Sequence, residues 1–184
     1  MMMKHSPSRQ TRAGLDENKN AIALADSVLT ESRADIAFVP AATFAQAGTL
    51  QSAGDNPLQD DQIQILELSG ALIRQAVERS VSYVPKSFGG LLSIAGMRVE
   101  VQLQRKPRSR ITLAMVGKQP LDPNRKYKVA MPRALADGQL GYFQIWEKPV
   151  TVGSSTATVN GCFRKIKQGF TLLSAYQIGV EGGL

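Results

Sequence analysis

The sequence predicts an α+β domain in which helices flank a mixed β-sheet. Residues 20–33 repeat apolar side chains with helical spacing, residues 35–39 form a short apolar run typical of a buried strand, and residues 97–104 alternate apolar with polar side chains. The chain has 184 residues, of which 43% are hydrophobic and 20% charged. A chain of that length and composition buries a core of its own, so we expect one domain rather than two.

Caps, prolines and alternation place the elements along the chain. Asn20 and Ser69 stand where helix N-caps are expected, and Pro40 ends the first strand. The predicted elements are a helix over 20–33, a strand over 35–39, a long loop with at most one helical turn over 40–57, a strand over 63–68, a helix that begins after Ser69, a strand over 97–104, its partner over 111–116, a strand over 127–131, a loop over 138–141, an extended segment over 143–152, and a last helix capped by Ser154 or Ser155.

The two ends of the chain differ from its middle. Residues 1–19 are polar and are expected to form a flexible leader, residues 20–166 the domain, and residues 167–184 an apolar tail that is either a docking strand or a partner surface. The leader lacks the apolar run of a secretory signal, and no stretch approaches the length of a membrane span. We therefore expect a cytoplasmic protein without membrane contact.

Counts of reactive residues restrict the chemistry. Cys162 is the only cysteine and His5, in the polar leader, the only histidine. An internal disulfide and a thiolate metal cage are thereby excluded, and the fold has no histidine for a dinuclear hydrolase or a nucleophilic triad. We predict no metal, no cofactor and no catalytic residue. Cys162 is expected to pack in the interior, and Trp146 in the core or an interface.

Positive charge is concentrated in residues 105–133. The whole chain carries a formal charge of +7, and this stretch has nine basic side chains against one acid, Asp122. Tyr127 is its only aromatic residue, and alternate strand residues face opposite sides, so a solvated surface is favoured and a nucleic-acid partner is not expected. The basic residues are Arg105, Lys106, Arg108, Arg110, Lys118, Arg125, Lys126, Lys128 and Arg133.

Five segments in register resemble the C-terminal, substrate-binding domain of the 5′-nucleotidase family, over about Asn20 to Ile166. They are Leu24–Leu29, Ala34–Val39, Leu66–Ala71 with Ala76–Val81, Gly89–Arg98 and Pro120–Tyr127. In that family an N-terminal metallophosphoesterase domain hydrolyses the phosphate ester with two metals, and the C-terminal domain holds the nucleoside. The resemblance implies a domain that is not catalytic by itself and that works with a separately encoded metallophosphoesterase.

Most positions that grip the nucleoside in this family carry other side chains here. The resemblance places Pro40–Ala45 where the family has an Asn, two glycines and an Arg, so the amide and the guanidinium are lost. Pro57–Asp60 lacks the family's first stacking ring, Ala134 stands in place of the second ring, and Leu140 in place of the Asp that binds the ribose hydroxyls. Gly89 is the one base-contact position that is kept.

A replacement site on the same loop is one interpretation, since an arginine with two rings suits a planar anion. The competing interpretation is that the two rings pack the loop while its charges are solvated. The candidate ligand-binding residues are Gly89, Gly90, Arg133, Asp137, Tyr142 and Phe143.

Three functional hypotheses follow. The first is a nucleotide- or nucleoside-binding or accessory module of a nucleotide-hydrolase system, with a nucleoside or another small anion as ligand. The second is a degenerate domain retained for protein interaction or structure, and the third is a basic anion-binding surface.

Overall fold

The structure is a computed structural model that describes residues 19–45, 61–86, 88–146, 150–166 and 176–178. Within those ranges helices and strands alternate at first, and strands then dominate. In chain order the elements are α1 (Lys19–Ser32), β1 (Ile36–Pro40), α2 (Ala42–Ala45), β2 (Gln62–Ser69), α3 (Gly70–Ser82), β3 (Leu92–Ala95), β4 (Met97–Val101), β5 (Ile111–Val116), β6 (Gln119–Pro120), β7 (Lys126–Pro132), α4 (Arg133–Ala136), the 3₁₀ segment (Gln139–Gln144), β8 (Val150–Thr158), α5 (Val159–Arg164) and β9 (Tyr176–Ile178).

The strands form two mixed sheets. The larger has five strands in the order β3-β1-β7-β2-β8, with β1 and β7 parallel and the other neighbours antiparallel. The smaller has four strands in the order β6-β5-β4-β9, with β4 and β9 parallel. The predicted class, a mixed sheet flanked by helices, is confirmed, although the strands divide between two sheets.

The five-stranded sheet is covered on both faces. On one face, α1 and α5 pack against alternate residues of β1 such as Ala37 and Val39. On the other, α3 and the smaller sheet pack against Ile36 and Phe38. Successive residues of a strand point to opposite faces, so a strand between two apolar layers must be apolar throughout. That requirement explains why β1 is an uninterrupted apolar run and wholly buried.

The start of α3 agrees with the prediction. The Ser69 side-chain oxygen accepts a hydrogen bond from the Leu72 amide at 3.3 Å, which is the expected N-cap. Gly70 is required here because a Cβ at this position would lie 2.0 Å from the carbonyl oxygen of Asp122. The turn that precedes β7 therefore packs directly on the first residue of α3.

Several predicted boundaries are wrong, and the strand expected over 97–104 ends at Val101. Helix α1 begins at Lys19, so Asn20 lies inside its first turn instead of capping it. Residues 138–141 and 143–152 were expected to form a loop and an extended segment, but a 3₁₀ segment spans 139–144. Gly138, at φ 86°, reverses the chain there, and its carbonyl accepts from the Phe143 amide at 2.9 Å.

The last helix is capped later than expected. Ser154 and Ser155 belong to β8, because β8 pairs with β2 as far as Thr158. Thr158 then caps α5, its hydroxyl oxygen accepting from the Gly161 amide at 3.0 Å.

Some predictions fall outside the described residues. These are the leader up to residue 18, the loop over 46–57, the segment Pro57–Asp60 and most of the tail. Within the tail, Tyr176–Ile178 pairs in parallel with Val99–Val101, which agrees with the docking-strand alternative for these three residues. Among the helices of the described ranges, none has the length and apolar character needed to cross a membrane.

Candidate functional site

The positions that resemble a ligand site meet at one edge of the larger sheet. Because β1 and β7 are parallel, their last residues, Pro40 and Pro132, lie at the same edge, and β2, antiparallel to β7, begins there after Asp61. A cavity of about 80 Å³ lies at this edge, between the starts of α2 and α4 and the 3₁₀ segment. Among the residues that line it are Ala134 and Leu140.

This cavity is nearly filled by the protein itself. The carbonyl oxygen of Gly89 accepts from the Ala42 amide at 2.7 Å, and a Cβ at Gly89 would lie 3.3 Å from the Cβ of Ala42 and 3.8 Å from a methyl group of Leu140. Sites that enclose small molecules have volumes of about 300–1,000 Å³. The described walls therefore leave far less room than a nucleoside-sized molecule needs.

Two of the candidate residues, Gly90 and Tyr142, are buried. Tyr142 is fully buried, and its hydroxyl donates to the carbonyl oxygen of Gly90 at 2.7 Å. The Tyr142 ring also stacks on Trp146, with 5.0 Å between ring centroids, and the Trp146 indole donates to the Leu135 carbonyl at 3.2 Å. Both aromatic residues thus hold the 3₁₀ segment against the core. Trp146 was predicted to lie in the core or in an interface, and it lies in the core.

Three other candidate residues lie at the surface. The guanidinium of Arg133 is 3.7 Å from the carboxylate of Asp137, one helical turn away, and both side chains are 64% exposed. Phe143 is 58% exposed, so it does not pack the loop down as the competing interpretation expected. The structure places these three side chains on the outside of the loop, and none of the six candidate residues lines the cavity, although Gly89 lies next to two residues that do, Ala42 and Leu140.

Asp61 was not singled out from the sequence although it borders the cavity. Its carboxylate accepts from the Ala134 amide at 2.8 Å, which fixes the start of α4 beside the first residue of β2. Burial raises the pKa of the Asp61 carboxyl above its ordinary value of 3.8, and the amide hydrogen bond opposes that shift. The only feature of the sequence that could have indicated a role for Asp61 is its position as an acid just before a predicted strand.

Arg79 was also missed, and it organises the 3₁₀ segment. Its guanidinium carbon is 5.4 Å from the centroids of both Phe88 and Tyr142, and its Nε and Nη2 donate to the Leu140 carbonyl at 3.3 and 2.6 Å. A Cβ at Gly141 would lie 2.1 Å from Arg79 Nη2. The contact joins residues 61 positions apart, and no local pattern in the sequence predicts it.

The basic stretch over 105–133 does not form one surface. Arg110 is buried, and its Nη1 donates to three carbonyl oxygens at the end of α3, those of Val81, Ser82 and Val84. Lys126 forms an ion pair of 2.9 Å with Glu67. Some basic side chains of this stretch therefore bind backbone carbonyls at the end of a helix, some form ion pairs, and others are exposed to solvent.

Reactive groups are sparse in the described part of the chain. It contains no group of three or more His, Cys, Asp or Glu side chains that could hold a metal ion. Cys162 is buried, as predicted, and its burial raises the pKa of the thiol.

Comparison with known families agrees with this geometry. Residues 4–147 match the family model described as 5′-nucleotidase, C-terminal domain. The chain belongs to this family. The match begins and ends earlier than the predicted domain limits of 20 and 166, and it covers the candidate loop that follows β7.

Curated relatives match this 5′-nucleotidase C-terminal domain over shorter stretches. A snake venom 5′-nucleotidase from Gloydius brevicauda is 33% identical over 89 residues, which are 44% of this chain and 15% of that protein. The 5′-nucleotidase of Homo sapiens is 29% identical over 104 residues, which are 52% of this chain and 18% of that protein. The matched stretches therefore cover less than a fifth of either relative.

Solved structures share the fold over nearly all of the chain. A putative 5′-nucleotidase from Staphylococcus aureus, solved in complex with alpha-ketoglutarate, superposes with a TM-score of 0.74 at 16% identity, covering 90% of this chain and 37% of that one. The 5′-nucleotidase precursor of Thermus thermophilus gives a TM-score of 0.73 at 18% identity, with 90% and 36% coverage. These likenesses confirm the 5′-nucleotidase C-terminal fold.

Proposed function

We propose that this domain is a nucleotide- or nucleoside-binding or accessory module of a nucleotide-hydrolase system, and that it does not hydrolyse phosphate esters by itself. Family membership supports the connection with nucleotide hydrolysis. The types of residue present support the second claim, that the domain does not hydrolyse phosphate esters by itself. His5 is the only histidine in the chain, and the described residues contain no cluster of metal-ligating side chains. A dinuclear phosphoesterase centre needs several such ligands.

In this proposal the hydrolytic centre is supplied by a metallophosphoesterase partner. The curated relatives that carry the name 5′-nucleotidase are several times longer than the segment they share with this chain. The partner contributes the metals and the attacking water, and this domain contributes a scaffold that is placed beside them.

Phosphate release tests the proposal directly. The purified chain is incubated with AMP and either Mn²⁺ or Mg²⁺, with and without EDTA, after two chromatographic steps that separate on different principles. We expect no phosphate release above the EDTA control. A metal-dependent activity that follows the chain through both columns in constant proportion to its concentration would contradict the proposal.

A second candidate function is a protein-interaction or structural module that no longer binds nucleosides. The cavity of about 80 Å³ favours it, because Leu140 and the close approach of Gly89 to Ala42 occupy the space where the family's ligand is expected. Its described lining includes the polar side chains of Thr43, Asp61 and Gln139 but no aromatic ring and no arginine, so it offers a nucleoside neither a stacking surface nor a guanidinium fork.

Calorimetric titration with adenosine separates the two candidates. The second candidate expects no saturable binding below the millimolar range, whereas micromolar binding would support a nucleoside-binding module. Two variants then locate any binding. Gly89→Ala adds a methyl group beside two lining residues of the cavity, 3.3 Å from the Ala42 Cβ and 3.8 Å from a Leu140 methyl group, and Gly153→Ala adds one in open space. Adenosine bound at the family's position is weakened by the first change and not by the second.

A further inference from the structure

A groove of about 490 Å³ lies beside the end of the 3₁₀ segment, whereas the small cavity lies at its start. It is bounded by one face of α3, the end of the 3₁₀ segment and the loop that precedes β5, and it shares no lining residue with the small cavity. Its volume falls within the range of about 300–1,000 Å³ that is usual for small-molecule sites. The lining residues that matter here are Arg74, Glu78, Arg79, Tyr83, Arg108 and Ile145.

We propose that this groove binds a small organic anion that carries phosphate or carboxylate groups. Among the described residues that line it, three carry guanidinium groups, Arg74, Arg79 and Arg108, and one carries a carboxylate, Glu78. Both oxygens of this carboxylate are already engaged, since they accept from the backbone amides of Arg110 and Ile111 at 2.9 Å each. The described lining is therefore positive, and the Glu78 carboxylate is turned towards the backbone.

Two of the three arginines are held in place before any ligand arrives. The Arg79 guanidinium lies 5.4 Å from two ring centroids and donates to the Leu140 carbonyl, and Arg74 Nη2 donates to the Ile111 carbonyl at 2.7 Å. The described residues supply one acceptor oxygen to each of these side chains, and a guanidinium has five N–H donors. Donors therefore remain on rigid groups, which lowers the entropy lost on binding.

Arg108 supplies the third charge from the facing loop. Its backbone has φ 71°, a left-handed conformation that is uncommon for a residue with a Cβ, and its side chain is exposed. Among the described residues, none accepts a hydrogen bond from its guanidinium. Tyr83 and Ile145 add an apolar wall, so the groove suits an anion with an organic body better than a bare inorganic ion.

Fructose 1,6-bisphosphate and citrate are the probes that test this site, titrated by calorimetry at constant ionic strength so that screening does not change. The fluorescence of Trp146, the only tryptophan in the chain, gives a second readout because its ring stacks on Tyr142, which faces Arg79. We expect saturable binding of at least one probe. Fructose 1,6-bisphosphate bound more tightly than citrate identifies a phosphate-bearing ligand, and the reverse order identifies a carboxylate.

A matched pair of variants locates the binding. Arg108→Gln removes a groove charge, and Arg105→Gln removes the same charge from an exposed residue of the same loop that does not line the groove. We expect Arg108→Gln to weaken binding by about tenfold or more, since a charge-assisted contact is lost, and Arg105→Gln to change it by less than about twofold. Absence of saturable binding for both probes, or equal weakening in both variants, would overturn the proposal. Adenosine carries no oxyanion, so its titration tests the proposed function separately.

Discussion

Glu78 provides the strongest test of how helix α3 is joined to the smaller sheet. It lies on α3, it is only 6% exposed, and its two carboxylate oxygens accept from the backbone amides of Arg110 and Ile111, each at 2.9 Å. These amides stand at the entrance to β5, the strand of the smaller sheet that faces α3. One side chain therefore satisfies two buried donors and fixes the strand against the helix.

Glu78→Gln changes this arrangement by one atom and one charge. The remaining amide oxygen satisfies one backbone donor, while the new amino group points at the other donor and leaves it without an acceptor. A hydrogen bond to a charged group contributes about 1.5–3 kcal/mol, and an unsatisfied buried donor costs about 1–3 kcal/mol. We therefore expect a loss of about 2–3 kcal/mol in the free energy of unfolding, which lowers Tm by about 4–12 °C for a chain of this size.

Urea unfolding at pH 7 measures this loss. Trp146 fluorescence and far-ultraviolet circular dichroism should give coincident transitions if unfolding is two-state. The matched control is Glu100→Gln, because Glu100 carries the same group at the surface, 2.9 Å from Arg98, and should lose less than about 1 kcal/mol. If Glu78→Gln is no less stable than Glu100→Gln, the two backbone hydrogen bonds do not have the role assigned to them.

Three further predictions use the same unfolding assay. Arg110→Lys should lower stability by about 1–3 kcal/mol, since lysine has no counterpart of the guanidinium Nε, which donates to the Arg105 carbonyl at 3.2 Å while Nη1 donates to carbonyls at the end of α3; an unchanged midpoint would contradict this. Gly70→Ala should cost about 2 kcal/mol because its Cβ would meet a backbone oxygen at 2.0 Å, whereas Gly153→Ala, with nothing within 4 Å, should change stability by less than about 0.5 kcal/mol. Burial raises the pKa of Asp61 in the folded state, so the native state holds that proton more tightly and wild type should lose stability relative to Asp61→Asn as the pH rises above 3.8; a constant difference between the two across that range would refute it.

The sequence predicts elements well where the signal is local. The N-cap at Ser69 and the apolar stripe that follows it identify α3, and the alternation of apolar with polar side chains identifies β4 from Met97 onward. These patterns depend only on spacing along the chain, which fixes the side of an element that is apolar. The division of the strands between two sheets depends instead on pairing between distant segments, as between β4 and Tyr176–Ile178, and no local pattern encodes it.

The candidate site is predicted less well than the fold, for a related reason. Glu78 and Arg110 appear as ordinary charged residues in the sequence, and the usual expectation for such residues is a solvated surface. Their burial follows from contacts 26 to 33 positions away along the chain. Arg79 acts over 61 positions. From the sequence, charged residues that stabilise tertiary contacts cannot be distinguished from charged residues at the surface until their hydrogen-bond partners are known.

The loop after β7 contains residues that backbone conformation and packing require, whether or not a ligand binds there. Gly138 and Gly141 have φ of 86° and 78°, and Tyr142 is held by the Gly90 carbonyl, so these residues are required by backbone conformation and packing inside the domain itself. Leu140 lies at φ 59°, a conformation that costs a leucine more than an asparagine, an aspartate or a glycine. Its side chain packs against the core, and that burial offsets the cost. Folding alone therefore accounts for Gly138, Gly141 and Tyr142 in this loop, and their presence does not require that a nucleoside binds.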